Sequence, residues 1–153
     1  MKSIRKAEVK DLNAIYTMGY DVWGEGLNPT DYIELCRRST KYPKGNWYLL
    51  EEKGNPLSSL IIYHLSVHLM GIGSVATSQD FRNQGNASIL LKKIIKLYLT
   101  ETTFCLYSDI NPQLYARLGF KAVPECDQPY SDTILMYYPD WIHYTPEEYP
   151  KYF

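Results

Sequence analysis

Cysteine is scarce and unpatterned. Cys36, Cys105 and Cys126 are odd in number and follow no metal-ligand spacing, which argues against a disulfide framework and against a zinc cluster. Charge of one sign is also missing. Sixteen basic and seventeen acidic residues leave −1, and no basic stripe runs along the chain, so nucleic acid is excluded as a partner. The apolar stretch at 60–76 is broken by His64, Ser66 and His68, too often to span a membrane. The opening MKSIRKAEVKDL lacks an apolar signal region. These absences lead us to expect a reduced, cytoplasmic protein with no membrane association. With 153 residues, 45% of them hydrophobic, the chain suits one domain with a core of its own, residues 1–153. The one surplus is fifteen tyrosines, which fit half-buried strands or an aromatic-lined pocket.

Periodicity orders the elements. Residues 2–8 read as a strand, and Asp11 caps a helix through Ala14, Ile15, Met18 and Val22. After the loop 24–29, a second helix runs from Thr30 or Asp31 to about Arg38. Strand patterns occupy 47–52, 57–65 and 67–77, separated by Gly/Pro/Asn turns. Apolar residues at 87, 90, 91, 94, 95 and 98 give one face of a helix over 87–99, with Lys92, Lys93 and Lys96 off that stripe. A strand at 104–107 follows. A short helix then opens at Asn111-Pro112 and ends at Gly119, and strands at 122–123 and 133–138 close the pattern. The order predicts an α/β chain with a mixed sheet. The tail 139–153 is rich in proline and aromatics and is expected to lie on the surface of the domain or of a partner.

The densest cluster of small and polar residues, Gln79-Asp80-Phe81-Arg82-Asn83-Gln84-Gly85-Asn86-Ala87-Ser88, stands directly before the most regular helix. A helix start has unpaired N–H groups and a partial positive charge, and Gly85 lets backbone approach a ligand closely. Together they suit a phosphate or pyrophosphate, with Arg82 able to add a charge-assisted contact. A solvated loop with a glycine turn is the competing reading of this stretch taken alone.

Arg82-x-x-Gly85-x-Ala87, after a strand ending in Val75-Ala76-Thr77, resembles the acyl-CoA loop of the GNAT superfamily of N-acetyltransferases. Tyr115 followed by Gly119-Phe120, in Asn111-Pro112-Gln113-Leu114-Tyr115-Ala116-Arg117-Leu118-Gly119-Phe120, is similar to that family's second signature. The resemblance implies a mixed, mostly antiparallel sheet, splayed at the acyl-CoA site and flanked by about four helices. It implies acetyl-CoA as co-substrate. It places Val75, Ala76, Thr77, Arg82, Asn83, Gln84, Gly85, Asn86, Ala87, Ser88 and Asn111 at the cofactor, and gives Tyr115 the role of protonating the departing thiolate. The acceptor it implies is a small-molecule or protein amine; homodimerisation stays open. The chain departs from the usual family pattern at Gln79, Asn83 and Asn86, the last adding a polar side chain to the loop. Residues 69–76 contain no acid, so the frequent strand glutamate is absent. That leaves a water chain, Glu25, His64, His68 and Asp109 as candidate bases, and keeps a non-catalytic acyl-CoA-binding module as the alternative.

Other patterns weigh less. Gly71-Ile72-Gly73-Ser74-Val75-Ala76 matches a dinucleotide fingerprint, but strand-like residues follow it and positions 88–100 carry no acid. These glycines better suit a strand that bends or bulges near a ligand. His64 and His68, four apart, fit structural histidines on strands. The segments 20–26 and 125–132 correspond to the family's acceptor cleft. Both are acidic with aromatic neighbours, which nominates Trp23, Glu25 and Asp127 for a cationic amine.

Overall fold

The computed structural model describes residues 1–98, 101–109 and 111–153. Its strands are β1 (Ser3–Lys6), β2 (Gly45–Glu52), β3 (Asn55–Ser66), β4 (Leu69–Thr77), β5 (Thr103–Ser108), β6 (Lys121–Ala122) and β7 (Ile134–Tyr138). They form one sheet in the order β1-β2-β3-β4-β5-β7-β6. The helices are α1 (Leu12–Met18), α2 (Tyr20–Trp23), α3 (Pro29–Arg37), α4 (Asn86–Leu97) and α5 (Pro112–Arg117). The sheet is mixed as expected: β4 and β5 are parallel, whereas β1 with β2, β5 with β7 and β6 with β7 are antiparallel. No helix among the described residues is long and apolar enough to cross a membrane.

The chain divides into two compact units, Met1–Ile62 with Ser74–Ile94, and Tyr63–Gly73 with Ile95–Phe153. In the first, β1 pairs with β2 from Ser3 opposite Glu51 to Lys6 opposite Tyr48. Lys53 and Gly54, both left-handed at φ +52 and +79, make the tight turn into β3. Asn28 caps α3 by accepting the Asp31 N–H at 2.9 Å, and Pro29 takes the first helical position. This starts the helix slightly earlier than expected. The single helix expected up to Val22 is broken at Gly19, which is why the described residues hold five α-helices where about four were anticipated. A Cβ on Gly19 would lie 2.3 Å from the Trp23 ring, so this close turn requires glycine. Ile15, Leu49, Leu50, Leu60, Ile61, Leu90, Leu91 and Ile94 fill the unit's interior.

In the second unit, β4 and β5 pair from Leu69–Thr103 to Ile72–Leu106. Both strands continue beyond this last pair, β4 to Thr77 and β5 to Ser108. Alternation puts Cys105, Tyr107, Leu135 and Tyr137 on one face, clustered with Leu69 and Val123. The tail answers to that face: Trp141, Tyr144, Tyr149 and Phe153 pack against it. Tyr137 stacks on Tyr144 at 4.8 Å, and the Tyr107 hydroxyl donates to the Pro150 carbonyl. Phe153 lies over Gly71, where a Cβ would be 2.7 Å from its ring. The glycine inside β4 thus serves a close approach by the tail, and Gly71 and Gly73 lie within a strand, not at the strand-to-helix turn a dinucleotide site needs.

Candidate active site

In the first unit, the chain leaves β4 at Thr77 and passes a 3-10 turn at Gln79–Phe81. Arg82 then fastens the loop from within. Its Nε donates to the Thr77 carbonyl at 3.0 Å and its Nη2 to the Met18 carbonyl at 3.1 Å. A bidentate pair joins it to Asp21 at 2.5 and 2.8 Å. The guanidinium holds the Asp21 carboxyl below its ordinary range and is itself raised in turn. The Arg82 side chain expected at a phosphate is thus committed to α1, α2 and the end of β4. Asn86 differs from expectation in the same way. It is buried, accepts from Lys2 Nζ at 2.8 Å and donates to the Phe81 carbonyl at 2.8 Å, so its amide supports the loop from behind and does not project into it.

The backbone presents what these side chains do not. Asn83 and Gly85 are left-handed, at φ +61 and +76, and a Cβ on Gly85 would meet nothing within 4 Å. Asn83, Gln84 and Gly85 are exposed. The Gly85 carbonyl accepts the Ile89 N–H at 3.0 Å, so α4 is formed from its first turn. The N–H groups of Asn86, Ala87 and Ser88 therefore have no acceptor inside the helix. An exposed turn running into a helix start with free amides is a place where an anion binds through backbone alone.

On β4, Val75, Ala76 and Thr77 are half-buried. The Ala76 carbonyl accepts from Ser58 Oγ at 2.6 Å, and Ser58 and Thr77 hydroxyls are 3.0 Å apart. Ser74 is left-handed at φ +47 within this strand. It shares a side-chain hydrogen bond with Tyr42. Beside Ser74 and Ala76 opens a cavity of about 210 Å³, counting space open to solvent. Tyr16, Trp23, Tyr32, Tyr42 and Trp47 supply its aromatic walls. Tyr16 stacks on Tyr42 at 5.9 Å, and Trp47 meets Tyr42 edge-on at 5.1 Å. Sequence reasoning reached Trp23 here but missed the other four. The tyrosine surplus was the only signal, and it could not say which rings converge. Glu25 is exposed, left-handed at φ +46, and not among the lining residues.

In the second unit, Asn111 caps α5 by accepting the Gln113 N–H at 3.0 Å, with Pro112 next. That bond engages the Asn111 carbonyl oxygen in the helix start. The Tyr115 carbonyl accepts the N–H groups of Leu118 and Phe120, both at 3.0 Å, across Gly119 at φ +102. The Tyr115 ring meets Phe120 edge-on at 6.0 Å. Burial pushes its phenol up to about 12, the Asp109 carboxylate adding to the effect, so the hydroxyl stays protonated at neutral pH. Asp109 is exposed and accepts from the Tyr152 hydroxyl at 3.2 and 3.0 Å. Asp127 sits half-buried in a 3-10 turn, Glu125–Asp127. His64 and His68 are exposed, and no group among the described residues is arranged to hold a metal.

A mixed sheet whose fourth strand feeds a glycine turn and an amphipathic helix, followed by a short tyrosine-bearing helix, defines an α/β protein with a candidate anion site at that turn. The model of the acetyltransferase (GNAT) family matches residues 10–120, and the chain belongs to that family. The match ends at Phe120, the last residue of the second signature. Solved structures agree on the fold. The ribosomal-protein-S18-alanine N-acetyltransferase of Escherichia coli is 19% identical, with a TM-score of 0.65 over 90% of this chain and 92% of that one. A GNAT-family acetyltransferase of Staphylococcus aureus Mu50 is 14% identical, with a TM-score of 0.64 over 90% and 98%. The N-acetylglutamate synthase of Neisseria gonorrhoeae, complexed with coenzyme A and L-arginine, is 19% identical with a TM-score of 0.66, covering 89% of this chain and 32% of that longer one. No curated protein sequence matches the chain significantly.

Proposed function

We propose that this acyltransferase moves an acetyl group from acetyl-CoA to a primary amine by direct attack, with residues 1–153 acting as one acetyltransferase domain in the cytoplasm. The observation that carries the reading is the turn at 82–88. Its two left-handed residues and three first-turn amides suit the pyrophosphate of coenzyme A, and the solved relative with bound coenzyme A shares the fold. Arg82 and Asn86 serve by holding that turn in shape.

The acceptor must be neutral to react. Its nitrogen lone pair forms the new C–N bond at the thioester carbonyl, and backbone N–H around Val75–Thr77 stabilises the oxygen as it gains charge. The C–S bond breaks, and the sulfur takes the electron pair. Tyr115 gives that thiolate a proton and regains one from water, while the nitrogen releases its extra proton to solvent. The acceptor is a small-molecule or protein amine.

The test is thiol release from acetyl-CoA across an amine panel, with wild type and Tyr115→Phe. Tyr115→Phe should keep acetyl-CoA affinity within about twofold and lower kcat by about ten- to a thousand-fold. Because the phenol titrates only near 12, wild-type kcat should show no basic limb below about pH 11. An unchanged kcat in the phenylalanine variant would leave Tyr115 as packing alone. Failure of every amine to accelerate thiol release would sink the transferase reading.

A further inference from the structure

We propose that the aromatic cavity beside β4 receives a small apolar group carried next to the acceptor nitrogen, on an amine of low basicity such as an α-amino group, in preference to a lysine side chain. This rests on the acetyl-transfer reading above and narrows its acceptor.

Place comes first. Ser74 and Ala76, which line the cavity, belong to the end of the strand assigned to the acetyl group, so whatever enters it stands beside the reacting carbonyl. Charge comes second. The lining contains neither a carboxylate nor a basic side chain. Tyr32 and Cys36, which are hydrogen-bonded to each other at the cavity, are both pushed up by burial and stay neutral at physiological pH. Of the acidic segment 20–26 expected to attract a cation, the lining takes the Trp23 ring and not the Glu25 carboxylate. An ammonium entering here would lose its hydration and recover only part of it from the ring faces. A neutral amine loses far less.

The chemistry agrees with a lining that offers no carboxylate. Residues 69–76 carry no acid, and no acid lines the cavity. A cavity whose own walls offer no base favours amines that are already deprotonated in water. At pH 7.5 an α-amino group of pKa about 7.8 is about one-third neutral, and a lysine of pKa about 10.4 only about one part in a thousand. That is a preference of roughly 250-fold in reactive species before any contact is made. Size comes last. The cavity is partly open and has room for about one water-sized group, which suits a methyl and not a ring.

The experiment uses the full chain with acetyl-CoA. Acceptors are short peptide amides beginning with Gly, Ala, Ser, Leu, Phe or Asp, an N-blocked peptide with one free lysine, and alaninamide as the free small-molecule arm. Alanine-led acceptors should exceed the phenylalanine, aspartate and lysine acceptors by at least tenfold in kcat/KM. Activity on alaninamide equal to that on the peptide marks a small-molecule substrate; a large excess for the peptide marks a protein N-terminus. Trp23→Ala enlarges the cavity and should move the optimum to leucine, a gain that a misfolded variant cannot show. Cys36→Leu fills it and should raise the acceptor KM at least tenfold, leaving the acetyl-CoA KM within twofold. Preference for lysine or for the aspartate-led peptide overturns the proposal and leaves the transferase standing. So does an acceptor order that Trp23→Ala does not alter. If no amine at all is acetylated, the transferase reading itself fails.

Discussion

At the scale of single residues, the loop before α4 divides its work between side chains and backbone. Arg82 and Asn86 are the residues a reader of the sequence would aim at a phosphate, yet each is fastened inward. Gly85 is the reverse: it has no side chain, is left-handed at φ +76, and a Cβ there meets only open space. Gly85→Ala should therefore cost about 1–2 kcal/mol through backbone conformation alone. Gly85→Asp should in addition abolish coenzyme A binding, because its carboxylate would stand where a pyrophosphate is expected. Urea unfolding and calorimetric titration of both variants separate the two effects. An aspartate variant that folds and binds coenzyme A as wild type does would remove the loop from the binding site.

At the scale of elements, the tail after β7 completes the packing of the second unit. Its sheet face presents Cys105, Tyr107, Leu135 and Tyr137, and Trp141, Tyr144, Tyr149 and Phe153 cover it. Phe153 also meets Tyr63 at 5.8 Å and Tyr107 at 5.7 Å, with Gly71 beneath it. Gly71→Ala should push a methyl into the Phe153 ring and destabilise the fold by about 1–3 kcal/mol. In the Phe153→Ala background the same change should cost much less, since the ring it strikes is gone. Thermal unfolding of the four proteins gives the coupling directly. Strict additivity would mean that the tail is not seated on β4.

At the scale of the molecule, pH links charge to stability through the first unit. Arg5 hydrogen-bonds Asp11 at 2.8 and 2.9 Å and holds its carboxyl down to about 2, against 3.8 when unperturbed. Asp21 is lowered in the same direction by Arg82. A carboxyl whose folded value is depressed contributes stability that is fully present above its unfolded value and is lost as pH falls through the folded one. Unfolding midpoints should therefore hold steady from pH 8 to 5 and decline between about pH 4 and 2. Asp11→Asn should be less stable at pH 7 and show a shallower acid decline. A wild-type midpoint unchanged between pH 5 and 2 would contradict both ion pairs.

Local rules made much of this protein legible in advance. Apolar spacing located α4, asparagine and proline marked the start of α5, and the turn residues separated β2 from β3. Two short patterns, Arg82-x-x-Gly85-x-Ala87 and Tyr115 with Gly119-Phe120, pointed to the family that the match over 10–120 bears out. All of these depend on residues within a turn or two of one another, where chain geometry alone sets who can meet. The rest depended on partners distant in the chain. Asp21 and Arg82 are 61 positions apart, Lys2 and Asn86 are 84 apart, and Phe153 reaches back to Gly71. Nothing local distinguishes an arginine that binds a ligand from one that holds a loop. Nor does composition tell which of fifteen tyrosines converge on a cavity, because convergence is a property of packing and not of spacing.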